Sequence, residues 1–482
     1  MNKQHSTAIY WFRRAIRLED NQGFCAAVAS SLKVIPVFIL DDAILTRPDT
    51  GKARVAFLFE ALADLDAQLR ERGGRLIIRH GDPAEELERL VAQSQATGLY
   101  FGRDYEPYSR ERDSRVSNVM QKCGVAVETF SDHLLTEPGM VMTKAGTPYT
   151  VFTPYRRVWL EQPVDTPISA PERVIVPDDL TSEELPVPPN SGQSPLVRGT
   201  AADAQKRLSD FIAACLGDYD TDRDFPALEG TSRLSAHLRM GTISARCVLA
   251  EVRRRRGALN NPNGADVFLS ELAWRDFYYQ LLYQFPYVAG SAFKPIYNNV
   301  QWENNEDFFA AWCEGRTGYP IVDAAMRQLQ SEAWMHNRAR MIVASFLTKD
   351  LLIDWRLGEA FFMQKLVDGD QASNNGGWQW SASTGADAQP YFRIFNPSSQ
   401  GEKFDPEGTY VKRWLPELRR IPSKYIHKPW ELSAAEQKAV GCELGKAYPH
   451  PIVDHKIQRE RILALYKRAD KNSGNEAEPE KE

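Results

Sequence analysis

The sequence predicts an α/β domain built on a doubly wound parallel sheet, joined by a long connector to an all-α domain. Three observations carry this reading. Short apolar runs alternate with amphipathic stretches over the first 135 residues, eight prolines crowd residues 161–200, and the periodicity from residue 201 onward is helical.

Runs at 8–12 (AIYWF), 34–40 (VIPVFIL), 75–79 (RLIIR), 98–102 (GLYFG) and 125–130 (VAVETF) read as buried strands. Between them, 53–72 and 84–96 have helical spacing, with Val55, Leu58, Phe59, Leu62, Leu65 and Leu69 on one apolar stripe. Strands separated by amphipathic helices imply parallel pairing, with helices on the sheet faces. Residues 136–200 form the connector; its Ser, Asp, Glu and Pro content over 161–200 shows no lasting periodicity. A helical domain follows over 201–467, with turn signals at NNPNG (260–264) and NPSSQGE (396–402). The polar tail, 468–482, is expected to be disordered.

Composition narrows the function. At 482 residues the chain is long enough for two or three domains, and its net charge of −5 announces no nucleic-acid partner globally. Any DNA contact needs a local basic groove, for which Arg393, Lys403, Lys412, Arg413, Arg419 and Arg420 are candidates, while the RRRR run at 253–256 reads as a solvated helix face. Six scattered cysteines without a CxxC pair argue against disulfides or zinc and for a reducing cytoplasm. Neither a signal peptide nor an apolar stretch of membrane-spanning length is visible, so a cytoplasmic protein is expected. GxGxxG, GxxxxGK[ST], HExxH and GxSxG are all absent, which removes support for nicotinamide, triphosphate and ordinary hydrolytic chemistry. Nine of the eleven tryptophans lie between Trp274 and Trp430, a concentration beyond ordinary core filling.

Four segments of the helical half are poorly explained by packing. In Gly230–Ser235 (GTSRLS), hydroxyls and an arginine at a helix start suit an anion, although alone they would equally make a plain helix cap. In 271–278 (ELAWRDFY), Glu271, Trp274, Arg275 and Tyr278 share one helical stripe. Trp334, Asn337, Arg338 and Met341 repeat that spacing in 334–341 (WMHNRARM). An acid, an indole, a guanidinium and a phenol on one face suit a pocket wall that stacks on a flat ring and hydrogen-bonds its edge. In 368–380 (DGDQASNNGGWQW), two acids, two asparagines and three glycines suit close approach to a ligand. Its carboxylates could hold ribose hydroxyls; without companion histidines, a metal is the weaker choice.

Taken together and in this order, these segments resemble the photolyase/cryptochrome family, specifically the bacterial class I cyclobutane pyrimidine dimer photolyases. The match runs from WFRRAIRLEDN (11–21) to HPIVDHK (450–456) and includes RDFPALEGTSRLSAHL, TGYPIVDAAMRQL, KDLLIDWR and NNGGWQW. The resemblance implies light-driven repair of dimers in damaged DNA by a monomer holding FAD, with FADH⁻ as the working form. A cryptochrome-type photoreceptor without repair activity is the alternative within the same family. By position, the resemblance assigns cofactor contacts to Tyr219, Thr231, Ser232, Arg233, Leu234, Ser235, Glu271, Trp334, Asn337, Arg340, Asp368, Asp370 and Asn374. It places Asp368 and Asp370 near the flavin ring and ribose, and Asn374 beside the flavin nitrogen that gains the redox proton. Substrate contacts implied are Arg223, Glu271, Trp274, Arg275, Tyr278, Asn337, Arg338, Met341, Trp380 and Gln400. Trp378, Trp355 and Trp302 match the family's electron-relay tryptophans.

The chain also departs from the family pattern. Ala15 replaces the usual acid of the first strand's arginine motif, and Phe268 stands where relatives can carry tryptophan. Pro48, Tyr108 and Ser109 replace the His, Asn and Glu of folate-binding relatives. An antenna chromophore, methenyltetrahydrofolate or a deazaflavin, is therefore expected on the α/β domain.

Overall fold

The computed structural model describes residues 3–259 and 261–474. Strands β1 (His5–Phe12), β2 (Ser31–Leu40), β3 (Ile77–His80), β4 (Gly98–Gly102) and β5 (Ala126–Phe130) pair in parallel in the order β3-β2-β1-β4-β5. The chain winds outward from β1 to β3, then crosses back to β4, so the order reverses beside β1. Strand side chains alternate between faces. Ala8, Tyr10 and Phe12 accordingly pack with the helix Lys52–Glu71, while Ile9 and Trp11 enter the opposite core with the helix Pro83–Ser94. Both faces are covered, which is why the strands read as continuous apolar runs. Of the predicted stripe, Phe59, Leu62, Leu65 and Leu69 are buried; Val55 and Leu58 instead face a cavity described below. The helix Pro107–Lys122 gave little signal because its sequence is mostly charged and polar; only Ser109, Arg112, Val116 and Met120 are buried.

Residues 163–199 form neither helix nor strand, yet they are pinned along their length. Val34 N–H donates to Ile175 O at 2.8 Å, Glu183 N–H to Ile78 O at 3.0 Å, and Ser194 N–H to Ser331 O at 2.7 Å. These bonds tie the segment to the sheet and to the helical domain. From residue 201 the described residues hold helices, with one isolated bridge pairing Leu444 and Tyr448. The last helix, His455–Gly474, runs past residue 468, where a disordered tail was expected to begin; residues 475–482 lie outside the described residues.

The two halves meet closely. Gly241 adopts φ +72°, and a Cβ there would fall 1.8 Å from the carbonyl oxygen of Arg14, so both conformation and space demand glycine. Beside it, Arg14 leaves the end of β1 and bonds Asp104 (2.7 Å), Glu106, the Tyr279 hydroxyl (2.9 Å) and Asp370 (3.3 Å). One buried guanidinium thus joins three carboxylates from both domains. Burial alone would raise the Asp104 carboxyl; Arg14, Arg13 and Arg112 reverse that and hold it well below the usual range.

Candidate functional site

The helix Asn263–Gln284 packs against the helix Gln371–Ser381, and each presents one face to a shared cavity of about 30 Å³. Trp274, Tyr278, Asn375, Gly376, Gln379, Trp380 and Asp387 are among its lining. The close approach depends on Gly376, where a Cβ would lie 2.1 Å from the Tyr278 ring. Trp274 is stacked on Phe152, with ring centroids 3.6 Å apart and planes 10° from parallel. One turn earlier, Glu271 accepts from Arg223 at 2.5 Å, and Arg223 also lies over the Tyr219 ring at 5.4 Å. Tyr219 is otherwise buried edge-on against Phe211 and Phe268.

Arg275 departs from the predicted stripe. Its guanidinium turns toward the α/β domain, donating to the carbonyls of His133 (3.0 Å) and Leu238 (3.2 Å). The offset of four residues put it near the stripe, but a long side chain follows its acceptors.

Against the helix Gln371–Ser381, without lining that cavity, packs the helix Asn337–Ser345. His336 caps it, its Nδ1 accepting from Arg338 N–H at 3.1 Å, and burial pushes this imidazole down to about 3, keeping it neutral for that role. Arg340 donates to Asp368 at 2.8 Å and to Met335 O at 2.8 Å. Arg338 bonds Asp224 at 2.7 Å and lies 4.3 Å over the Phe404 ring, on the helix Pro397–Phe404 that also carries the half-buried Gln400. Asn337 is exposed, its amide 4.0 Å from Met341 Sδ. Arg233 covers Trp334 at 4.6 Å and adopts φ +50°, a conformation that costs a side-chain-bearing residue about 1 kcal/mol or more. Thr231 and Ser232 flank it half-buried, Leu234 is buried and Ser235 is exposed at the start of the helix Ser235–Met240.

The helix Gln371–Ser381, one face of the cavity, also carries Asn374. Asn374 Nδ2 donates to the Glu359 carbonyl at 3.0 Å, which fixes the amide and leaves its Oδ1 as a free-facing acceptor. The Glu359 carboxyl bonds Asn375 at 3.0 Å and is pushed up to about 7 by burial. Trp378 and Trp355 are buried and Trp302 is partly exposed. Asp370 follows two residues after Asp368 and starts this helix. It caps this helix through Ser373 N–H and faces Tyr279 (2.5 Å), Arg14 and Arg239 (3.4 Å), because three donors from the domain junction draw it there.

Known proteins match this arrangement along almost the whole chain. The family described as DNA photolyase matches residues 8–172, and the FAD-binding domain of DNA photolyase matches residues 268–468. Deoxyribodipyrimidine photo-lyases of Synechococcus and Escherichia coli are 43% and 42% identical, over 95% and 97% of this chain and 96% and 99% of theirs. The chain belongs to the DNA photolyase family. Among solved structures, a class III photolyase of Agrobacterium tumefaciens superposes with TM-score 0.92 at 41% identity, covering 98% of both chains. A cryptochrome of Synechocystis superposes with TM-score 0.89 at 29% identity over 95% of this chain and 99% of its own.

The helical domain of this photolyase is its FAD-binding domain, and its residues fit the cofactor. Asp368 Oδ1, His336 Nε2 and Trp378 Nε1 are buried without hydrogen-bond partners. Buried polar atoms left unpaired are costly. Unpaired groups of this kind, one of them on the Asp368 carboxyl that Arg340 holds, are what a ribose and a ring edge satisfy.

The photolyase has a second, larger cavity of about 150 Å³, which the sequence pattern did not locate. It opens at the carboxyl ends of β1, β2 and β4, where the strand order reverses, the position at which doubly wound sheets bind ligands. Arg13, Arg14, Arg47, Arg54, Arg112 and Arg239 contribute to its wall, together with Asp41, Glu106, Tyr108 and Ser109. Tyr108 and Ser109 are two of the positions that depart from folate-binding relatives. Arg54 is buried and donates to the carbonyls of Met363 and Asp49, and burial lowers it to about 10.

Proposed function

We infer that this chain is a deoxyribodipyrimidine photo-lyase, which splits cyclobutane pyrimidine dimers in DNA using absorbed light. The observation that carries the reading is the aromatic cavity between Trp274 and Trp380, set beside the fixed Asn374 amide in an FAD-binding domain. A dimer flipped from the duplex stacks poorly with its neighbours, so extrusion costs less than for an intact pair. Trp274 and Trp380 then supply faces for its rings, and Glu271, Asn337 and Met341 lie at its edge. Glu271 is oriented by Arg223, and its carboxyl, raised by burial, donates in its protonated form to a base carbonyl as negative charge develops there. When bound, reduced FAD supplies one electron on excitation and receives it back after the ring opens. Asn374 Oδ1 accepts the proton-bearing edge of the ring and so favours the reduced form. Arg340 and Asp368, with Thr231, Ser232 and Ser235, hold the remainder of the cofactor. Trp378, Trp355 and Trp302 carry electrons inward from the surface.

The strand-end cavity holds an antenna chromophore in this reading. Its arginines favour an anionic pigment, above all Arg54, whose hydrogen bonds go to backbone carbonyls. The archaeal photolyase of Sulfolobus tokodaii, 36% identical with TM-score 0.84 over 96% of this chain and 100% of its own, is described with two FAD molecules, with the implication of a novel light-harvesting cofactor. The six cysteines are unpaired, in keeping with a reducing cytosol.

The test is light-dependent loss of thymine dimers from an irradiated oligonucleotide, with reduced protein and a dark control. Repair in light alone is expected; bound, reducible FAD without repair would favour the cryptochrome reading. DNA affinity should fall steeply with salt, because phosphate contacts release counterions.

A further inference from the structure

The indole on which a flipped dimer would rest is itself held by a residue 122 positions upstream. We propose that Phe152, fixed by Asp387, is a positioning residue that sets Trp274 for lesion recognition. This rests on the photolyase reading of the aromatic cavity.

Phe152 is the first residue of the helix Phe152–Leu160, it is buried, and its ring lies parallel to Trp274 at 3.6 Å. Phe277 meets the same indole edge-on at 5.6 Å and Tyr278 at 5.4 Å. One indole face is therefore covered by the Phe152 ring, while Trp274 still lines the cavity. The short helix that carries Phe152 is docked, not free. Arg156 donates to Ser270 at 2.6 Å and Trp159 Nε1 to Asp276 at 3.0 Å, both on the helix that bears Trp274. Its N-terminus lacks a local cap, since Val151 has no capping side chain. The cap comes from far away: Asp387 Oδ2 accepts the Phe152 N–H at 2.9 Å. A carboxylate suits that position, because it meets both an orphan N–H and the positive end of the helix.

Asp387 also lines the cavity beside Trp380. The Asp387–Phe152 bond thus links the loop following the Trp380 helix to the ring behind Trp274. Together they set the gap between the two indoles. A gap fitted to a stacked pair of bases discriminates only if neither wall can swing, and the indole would otherwise be free to tip toward the side that Phe152 occupies.

The test separates the ring from mere burial. Phe152→Leu keeps apolar bulk and removes the stacking face, whereas Phe152→Tyr keeps the ring; Asp387→Ala removes the cap, whereas Asp387→Asn keeps an acceptor. Affinity for a dimer-containing and an undamaged oligonucleotide is measured for each holoprotein, with the flavin absorption spectrum as the control. Phe152→Leu and Asp387→Ala should weaken dimer binding by about fivefold, leave undamaged binding unchanged, and preserve the spectrum. The Tyr and Asn variants should stay near wild type. Wild-type discrimination in Phe152→Leu, or an equal loss on both oligonucleotides, would overturn the proposal. Failure of the parent reading looks different: wild-type protein would then show no preference for the dimer.

Discussion

The two cavities of this molecule are built from opposite materials. The one at the strand ends is walled by six arginines and several carboxylates, drawn from β1, β2, β4 and the helical domain. The one between the helices Asn263–Gln284 and Gln371–Ser381 is walled by indole and phenol rings, with amides at its edge. Buried charges need partners, so the first site is a long-range ionic network in which the one Arg14 guanidinium reaches Asp104, Glu106 and Asp370, and Arg239 also meets Asp370. Rings need only neighbours of the right orientation, so the second is organised by stacking. The difference teaches where each is fragile: the first fails by leaving a charge unpaired, the second by letting a ring move.

The largest expected effect comes from the charged side. Arg14→Met should destabilise the protein by roughly 3–5 kcal/mol in urea unfolding, since it strands buried carboxylates on both sides of the domain junction. A loss below about 1 kcal/mol would mean the network does not hold the halves together. Next comes a buried carboxyl under the aromatic site. Glu359 stands at about 7 in the folded protein, above its ordinary 4.5, so the folded state holds its proton more tightly. That contribution is complete below about pH 4.5 and is lost as pH rises through about 7, by up to roughly 3 kcal/mol. Stability of the wild type should therefore decline over that window relative to Glu359→Gln; parallel pH profiles would show that Glu359 stays ionised. Trp274→Ala should cost roughly 1–3 kcal/mol in affinity for dimer-containing DNA, with folding little changed. Unaltered lesion binding would remove the indole from the pocket. The smallest effect on stability is expected from Trp302→Phe, within about 0.5 kcal/mol at this partly exposed position. Its signature is kinetic: slower photoreduction with repair intact once the flavin is reduced. Normal photoreduction would take Trp302 out of the relay.

Much of the fold is legible in the amino-acid order alone. Strand runs such as VIPVFIL and the stripe through Leu62 and Leu69 report elements that really are buried, because a period of two or of 3.6 is a local property. The same periodicity puts Trp274 and Tyr278 on a common face, and both line one cavity. It misjudges Arg275, whose acceptors lie at His133 and Leu238. Asp370, next-but-one to Asp368 in sequence, bonds Arg14, 356 residues away, a contact that no local pattern reports.

By itself, then, the sequence determined the order of strands and helices, the polar–aromatic faces of the helical half, and the family to which they belong. Those features are written in short-range spacing and in motifs of a few residues. Only the tertiary structure decided which far-off group meets each face: Phe152 behind Trp274, Asp387 capping a helix 235 residues earlier, and the arginine-lined cavity at the strand ends. Periodicity says which way a side chain points from its own backbone. What waits there depends on chain segments brought together by burial of the cores, and that information is carried by no local stretch of sequence.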